Sequence, residues 1–494
     1  MSLTRKRGSK PDRGSRPSGS QDRDGSGSGK TEDSRPPRDG RRRPRSRRVR
    51  RVRPIPPDIR QIDMLEDGHD RVIDPAEAGA EIWSDHGLQI RDLDSDAVKV
   101  VRRLVSGGFQ AYLVGGCVRD LLAGSTPKDY DIATSATPRQ VKQLFRNSRV
   151  IGRRFRLVHV FFREHILEVS TFRTDGDATK GDDLLIKRDN TFGRVDEDAR
   201  RRDFTCNGLF FDVNSVEVID FVGGMRDIKK RRIEMIGDAP TRLAEDPVRM
   251  LRAVKFAARL DFTIADDILA AIRDVRFDLR KSAAPRLFEE IQRLLGRGGA
   301  FASFDLLEST GLMEVLLPEI HRFLRIDLRW AEDSEFTLNV HQRFWNTLKS
   351  LDLFLEEGRP VSAVVRLCCL FIHLFDDVLH HKGAPPEGVA PVAFDIGVQT
   401  DRGLKPIVTR LQVPRRDQYK LKQLILGLRQ LLSVRTGRKK ISPARTVRKE
   451  YFPEVLRLFQ IYSHAVGRFQ GDVLRWERRY ESVFGHSLEK ALSK

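Results

Sequence analysis

Two stretches of this chain combine residue types that handle phosphate and divalent cations. They are Leu113-Val114-Gly115-Gly116-Cys117-Val118-Arg119-Asp120 and, shortly after, Lys128-Asp129-Tyr130-Asp131. An apolar run that ends in two glycines and turns into a helix leaves backbone N–H groups at a positive helix end, which suits a phosphate. Glycine is needed there because a side chain would hold a triphosphate away from the backbone. Such turns are common, so Gly115-Gly116 alone says little. Asp129 and Asp131 add weight, because residues i and i+2 of a strand share a face and the two carboxylates would lie side by side. Paired acids repel unless a hard cation neutralises them. Mg2+ takes oxygen ligands and favours one or two carboxylates beside phosphate oxygens, so it fits. The plain alternative is an exposed strand carrying solvated acids.

The elements that must position these residues form an alternating pattern between about 90 and 222. Val98–Gly107 reads as a helix, Ala111–Val114 as a short buried strand, Cys117–Leu122 as a second helix and Asp129–Ala133 as another strand. Thr137-Pro138-Arg139-Gln140 is a helix start, with Thr as N-cap, Pro in the first turn and Gln closing a capping box. Leu157–Phe162 and Ile166–Phe172 read as an antiparallel hairpin. Glu168 lies on the second of these strands and is a rival third carboxylate. Residues 175–200 are polar and rich in Asp and Gly, the composition of a mobile loop. Beyond about 240 the apolar residues recur at helical spacing, as in Leu251, Val254 and Ala258 or Phe344, Leu348, Leu351 and Leu355.

With 494 residues the chain has room for two or three domains. Its net charge of +20 is concentrated: residues 1–60 carry +13 and residues 401–450 carry +12, which leaves the remainder at −5. The first 60 residues, rich in Arg, Ser, Gly, Pro and Asp, have almost nothing apolar to bury and are expected to be disordered. Their run Arg41–Arg53 is an electrostatic handle for a polyanion such as RNA. Four cysteines, Cys117, Cys206, Cys368 and Cys369, make neither a disulfide framework nor a zinc pattern. No secretory signal or spanning apolar run is visible, so a soluble intracellular protein is expected. His373, with Asp376 and Asp377, and His380-His381 suggest a metal phosphohydrolase only faintly. His373 follows an apolar run, and helix packing explains it better.

Three separated motifs agree in order and content: the Gly115-Gly116 and Asp129/Asp131 set, Arg201-Arg202-Asp203-Phe204-Thr205-Cys206-Asn207, and Glu245-Asp246-Pro247-Val248-Arg249. Together they resemble the class II nucleotidyltransferases of the polymerase β superfamily, the family of bacterial poly(A) polymerases and tRNA CCA-adding enzymes. The resemblance covers roughly residues 95–300. It implies an α+β fold: a small mixed α/β nucleotidyltransferase head over 90–226, a helical neck over 227–300, and a mostly helical body and tail over 301–494 that binds RNA. The disordered basic tail, 1–60, precedes them. It implies catalytic roles for Asp129, Asp131 and Asp203, with Asp129 and Asp131 holding two Mg2+ ions. It implies nucleotide contacts from Gly115, Gly116, Arg119, Arg202, Asn207, Asp246, Arg249 and Arg252, and leaves Arg201 and Arg259 as candidates for phosphate.

Within that family the Asp/Arg pair of the third motif reads the base edge of ATP or CTP and rejects GTP and UTP. A salt bridge between neighbours on a helix, Asp246 with Arg249 at i and i+3, is the ordinary alternative. Gly152-Arg153-Arg154-Phe155-Arg156-Leu157, continuing to His159-Val160, is more similar to the poly(A) branch than to the CCA branch. The basic blocks agree, since an enzyme acting on arbitrary RNA ends gains from sequence-blind phosphate attraction. The expected activity is therefore AMP transfer from ATP to RNA 3′ ends, in a bacterial cytoplasm. A CCA-adding enzyme is the alternative. A catalytically silent RNA-binding protein would predict loss of a glycine or an acid, and all are present.

Overall fold

A computed structural model describes residues 72–152, 156–163, 165–174, 192–296, 298–326, 338–380, 395–433 and 442–493. The basic N-terminal stretch, Arg153–Phe155, most of the Asp/Gly-rich loop and His381 fall outside these residues, as does 434–441 of the second basic block.

Among the described residues, eight of the strands belong to the main sheet: β1 (Glu81–Trp83), β2 (Ala111–Val114), β3 (Asp131–Thr134), β4 (Ser148–Ile151), β5 (Leu157–Phe161), β6 (Ile166–Thr171), β7 (Leu209–Asp212) and β8 (Glu217–Asp220). They join in one mixed sheet in the order β1-β8-β7-β2-β3-β6-β5-β4. Every neighbouring pair is antiparallel except β3 and β6, which run parallel. Register does the functional work. Val114 pairs with Asp131, and Asp131 pairs with Glu168, so the last residue before the glycines and two acids line up across three adjacent strands.

Helices α1 (Ser95–Ser106), α2 (Gly116–Leu122), α3 (Pro138–Leu144) and α4 (Val195–Arg200) flank the sheet. Asp94 caps α1 by accepting from the N–H groups of Asp96 and Ala97, and α1 buries Ala97, Val98, Val101 and Leu104. The capping box at α3 forms as expected: Thr137 accepts from the Gln140 N–H, and the Gln140 side chain accepts from the Thr137 N–H. On the other face Tyr112, Val114, Ala133, Phe172, Phe210 and Ile219 pack with Val195 and Ala199 of α4. Asp131 shares that face with Ala133, which turns it toward the residues that follow α4.

Three sequence expectations need correcting. The strand at Asp129–Ala133 starts only at Asp131, so Asp129 lies in the stretch leading into it. The polar loop ends before 200, because Val195–Arg200 is helical and buries Val195 and Ala199. Strand β1, ahead of the expected head, had no alternation long enough to be read. It exists because β8 offers it an antiparallel edge.

Helices then dominate: α5 (Gly224–Lys229), α6 (Ala239–Glu245), α7 (Val248–Leu260), α8 (Asp266–Val275) and α9 (Ala284–Leu294), followed by further helices as far as Leu488–Leu492. The helix at Val340–Glu356 buries Phe344, Leu348 and Leu351, as their spacing predicts. His373 is buried there: its Nε2 lies 2.8 Å from the Thr347 hydroxyl, and its ring stacks on Tyr462 at 5.8 Å. Burial, with Arg343 and His380, pulls its imidazole down to about 3, the behaviour of a packed neutral ring. All four cysteines are buried free thiols. Among the described residues, no helix is long and apolar enough to cross a membrane.

Candidate active site

The turn from β2 into α2 explains its glycines directly. Gly115 has φ of +67°, and a Cβ there would lie 2.9 Å from Nη1 of Arg202. Any other residue would meet both backbone strain and the guanidinium packed under the turn. Arg202 is fixed in turn by Asp198, which accepts from its Nε and Nη2 at 3.3 and 2.8 Å, and by the Asn207 carbonyl at 3.2 Å. Asp198 is buried and also holds Arg201 at 2.9 Å. The Arg201-Arg202 pair is therefore built into the end of α4 and is not a solvated charge pair.

Asp131 opens onto the cleft beside this turn and counts as exposed by area. Its carboxyl is nonetheless crowded enough to lose hydration. That loss, then Glu168 across the parallel register and Asp129 just upstream, push it up to about 6, with Arg202 pulling the other way. Glu168 is half exposed and lies 3.3 Å from His159 of β5. Three carboxylates that raise one another's proton affinity, Asp131 with Glu168 and Asp129, are the donor chemistry that suits a dication. Among the described residues, no group of three or more ligands stands already closed around a metal position.

A consequence can be measured. The raised value means that ionising Asp131 costs the fold, fully above about pH 6 and no longer once pH falls below the unfolded value of about 3.9. A cation must displace the same proton, so apparent Mg2+ affinity is expected to hold at neutral pH and to weaken as pH falls below about 6. Calorimetric Mg2+ titrations on either side of that pH check it. Equal affinities would remove Asp131 from the ligand set.

Asp203 lines the cleft and is also an anchor. It is largely buried; Oδ2 accepts from Arg252 Nε at 2.6 Å, and Oδ1 accepts from Asn207 Nδ2 and from the Phe204 N–H, both at 2.9 Å. Asn207 Oδ1 in turn accepts from Arg119 Nη1 at 2.5 Å. One chain of polar contacts thus runs Arg119–Asn207–Asp203–Arg252, from the phosphate turn to the face of α7. A second link joins the same helices, since buried Asp120 accepts from Arg119 at 2.6 Å and from Arg259 of α7. Arg119, Arg252 and Arg259 are therefore already committed to carboxylates that hold α7 against the sheet domain.

The third motif does not sit within one helix as expected. Asp246 is the extended residue (φ −142°, ψ 93°) between α6 and α7, and Pro247 starts the second helix. Proline cannot continue α6, which is why the i, i+3 pairing fails. Asp246 instead pairs with Arg286 of α9 at 2.8 Å. Arg249 donates to the Arg242 carbonyl at 2.6 Å and to Glu245 at 2.9 Å.

A cleft of about 440 Å³ gathers these groups. Every expected site residue lines it except Asp129, and the lining runs from Gly115 and Gly116 through Asp131 and Arg202 to Asp246, Arg249 and Arg252. Phe256 of α7 also lines it and went unnoticed in the sequence, although its spacing of i+4 from Arg252 places it on the same helical face.

Residues 111–234 match the family described as "Poly A polymerase head domain", and residues 261–324 match "Probable RNA and SrmB- binding site of polymerase A". Poly(A) polymerase I of Salmonella typhi is 46% identical over 246 residues, 48% of this chain and 53% of the relative. The alignment thus spans about half the length of that protein. The CCA-adding enzyme of Geobacillus thermodenitrificans is 39% identical over 303 residues, 60% of this chain and 72% of the relative. The crystal structure of the Bacillus stearothermophilus CCA-adding enzyme in complex with CTP superposes with a TM-score of 0.53 at 26% identity, covering 78% of this chain and 82% of that one.

Proposed function

The chain belongs to the family of bacterial poly(A) polymerases and tRNA CCA-adding enzymes, and on that footing we propose that it transfers AMP from ATP to the 3′-hydroxyl of RNA, releasing pyrophosphate and building poly(A) without a template. The observation that carries this reading is the single cleft that brings together Gly115-Gly116, Asp131, and Asp246 with Arg249.

Each wall has a task. The triphosphate lies along Gly115-Gly116, with Arg202 beneath the turn and Arg252 opposite. The base reaches toward Asp246 and Arg249. Asp246 accepts from an exocyclic amine and Arg249 donates to a ring nitrogen, a pattern that adenine and cytosine meet. Guanine and uracil present a carbonyl where Asp246 needs a donor, so they are refused. Asp129 and Asp131 would hold two Mg2+ ions, which when bound neutralise the triphosphate and lower the pKa of the attacking 3′-hydroxyl. The chain's own contribution is to hold nucleotide and RNA end in line, with charge already aimed at the reacting phosphate.

The higher identity to poly(A) polymerase I than to the CCA-adding enzyme supports the poly(A) product, and the two basic blocks support binding to RNA of any sequence. The longer alignment to the CCA-adding enzyme favours the second reading, addition of C, C and A to tRNA. Purified protein offered ATP or CTP, with a generic RNA or a tRNA lacking its terminal CCA, separates the two. Long A tails on both RNAs are expected. Addition limited to C, C and A on the tRNA would replace the proposal with the second reading.

A further inference from the structure

Phe256 is the point at which the cations of the cleft converge. The Arg119 guanidinium lies 4.5 Å from its ring centroid, the Arg252 guanidinium 5.3 Å and the Lys255 ammonium 4.7 Å. The ring is 7% exposed and is braced edge-on by Phe204 at 5.8 Å, so it cannot tilt away. Arg119 comes from α2, directly after the phosphate turn, whereas Arg252 and Lys255 come from α7. Two positive groups that line the cleft, and Lys255 beside them, thus lie over one aromatic ring.

Such crowding needs an explanation. Arg252 has Asp203, Arg119 has Asp120 and Asn207, and Lys255 has Glu290 at 2.8 Å. Each cation thus has its own carboxylate, and the ring is the contact common to all three. Burial, aided by Arg252 and Arg293 and opposed by Glu290, pulls the Lys255 ammonium down to about 8, a sign that water is largely excluded here. An aromatic face carries partial negative charge, and it attracts a cation most strongly where water is excluded. An aliphatic residue of similar size would fill the space without that attraction.

We propose that Phe256 is a positioning residue for the nucleotide's phosphates: its ring holds Arg119 and Arg252 of the cleft, with Lys255 beside them, in the places from which they meet a triphosphate. Phe256 makes no contact of its own with the reacting atoms. It acts through the cations, adding a shared cation–π contact to the carboxylate pairs that hold each of them, and so fixes where they lie before substrate binds. This rests on the reading of the cleft as a triphosphate site.

The test compares full-length protein with Phe256→Leu, which keeps a buried apolar side chain but removes the π face, and with Phe256→Tyr, which restores it. Initial rates of AMP addition give KM for ATP and kcat, equilibrium binding of inorganic tripolyphosphate is measured without RNA, and thermal unfolding is followed for each variant. The Leu variant is expected to raise KM for ATP and weaken tripolyphosphate binding by about tenfold, a loss of about 1.4 kcal/mol, with kcat changed far less. The Tyr variant is expected to return both toward the parent values. A Leu variant that binds tripolyphosphate as the parent does overturns the proposal. So does one that loses thermal stability and kcat while KM stays put, since that is the mark of simple packing. If the parent itself adds no AMP, the proposed function fails. Tripolyphosphate binding then still decides the role of Phe256, and a parent that does not bind it overturns that role too.

Discussion

Asp131→Ala is expected to abolish nucleotide addition, by on the order of 1000-fold or more, while leaving the fold intact or slightly more stable. The loss follows from position. Asp131 is the one acid that lines the cleft at the register point between Val114, which leads into the glycines, and Glu168. The stability half follows from its titration. Its carboxyl is pushed up to about 6 by lost hydration and by Glu168 and Asp129, so ionising it at neutral pH costs the fold and removing it relieves that cost. Turnover assays together with thermal unfolding at neutral pH check both halves. Near-parental activity would remove Asp131 from the metal site. A large drop in unfolding temperature would mean that it holds structure instead.

Asp203→Ala is expected to behave in the opposite way, lowering stability by about 3 kcal/mol as well as activity. Burial alone would raise this carboxyl, but Arg252, Asn207 and the Phe204 N–H outweigh burial and hold it below the usual carboxylate range. Truncation would leave Arg252 without its carboxylate and Asn207 without an acceptor, and would cut the contact between the sheet domain and α7. Because the folded value is depressed, the stabilisation is fully present above the unfolded pKa of about 3.9 and is lost as pH falls through the folded value. Chemical denaturation of parent and variant at neutral and acid pH reads this directly: the difference should be large at neutral pH and shrink in acid. A variant as stable as the parent but inactive would return Asp203 to the role of an open catalytic acid.

The two variants mark where residue type stops being informative. Asp131 and Asp203 are both aspartates in motifs that the family resemblance singles out as catalytic, with only Asp131 given to the metal ions. Their difference lies in which long-range partners reach them. Glu168 faces Asp131 across a parallel strand pair, whereas Arg252 arrives at Asp203 from a helix 49 residues away. The third motif shows the same limit. Asp246 and Arg249 look like helix neighbours, yet Pro247 breaks the helix between them, and Arg286 and Glu245 take the two side chains.

Local pattern was legible wherever local physics decides. The cap at Thr137, the strand at Ala111–Val114, the hairpin of β5 and β6 and the helical periodicity of Val340–Glu356 all follow from neighbours within a few residues. Strand β1 and the true start of β3 were not legible, because a short strand exists only where a partner edge meets it.

The sequence by itself determined the chemical inventory of this protein: two glycines at a strand-to-helix turn, paired acids downstream, arginines in two further motifs, and positive charge gathered in two blocks. Spacing along the chain is enough for that, since side-chain periodicity and turn chemistry act over a few residues. Only the tertiary structure decided which acid meets Glu168 across the sheet and which holds Arg252, why Gly115 must lie over Arg202, and that Phe256 gathers the cations. Those outcomes depend on contacts between residues far apart in the chain, and the register of one sheet and the seating of one helix set them.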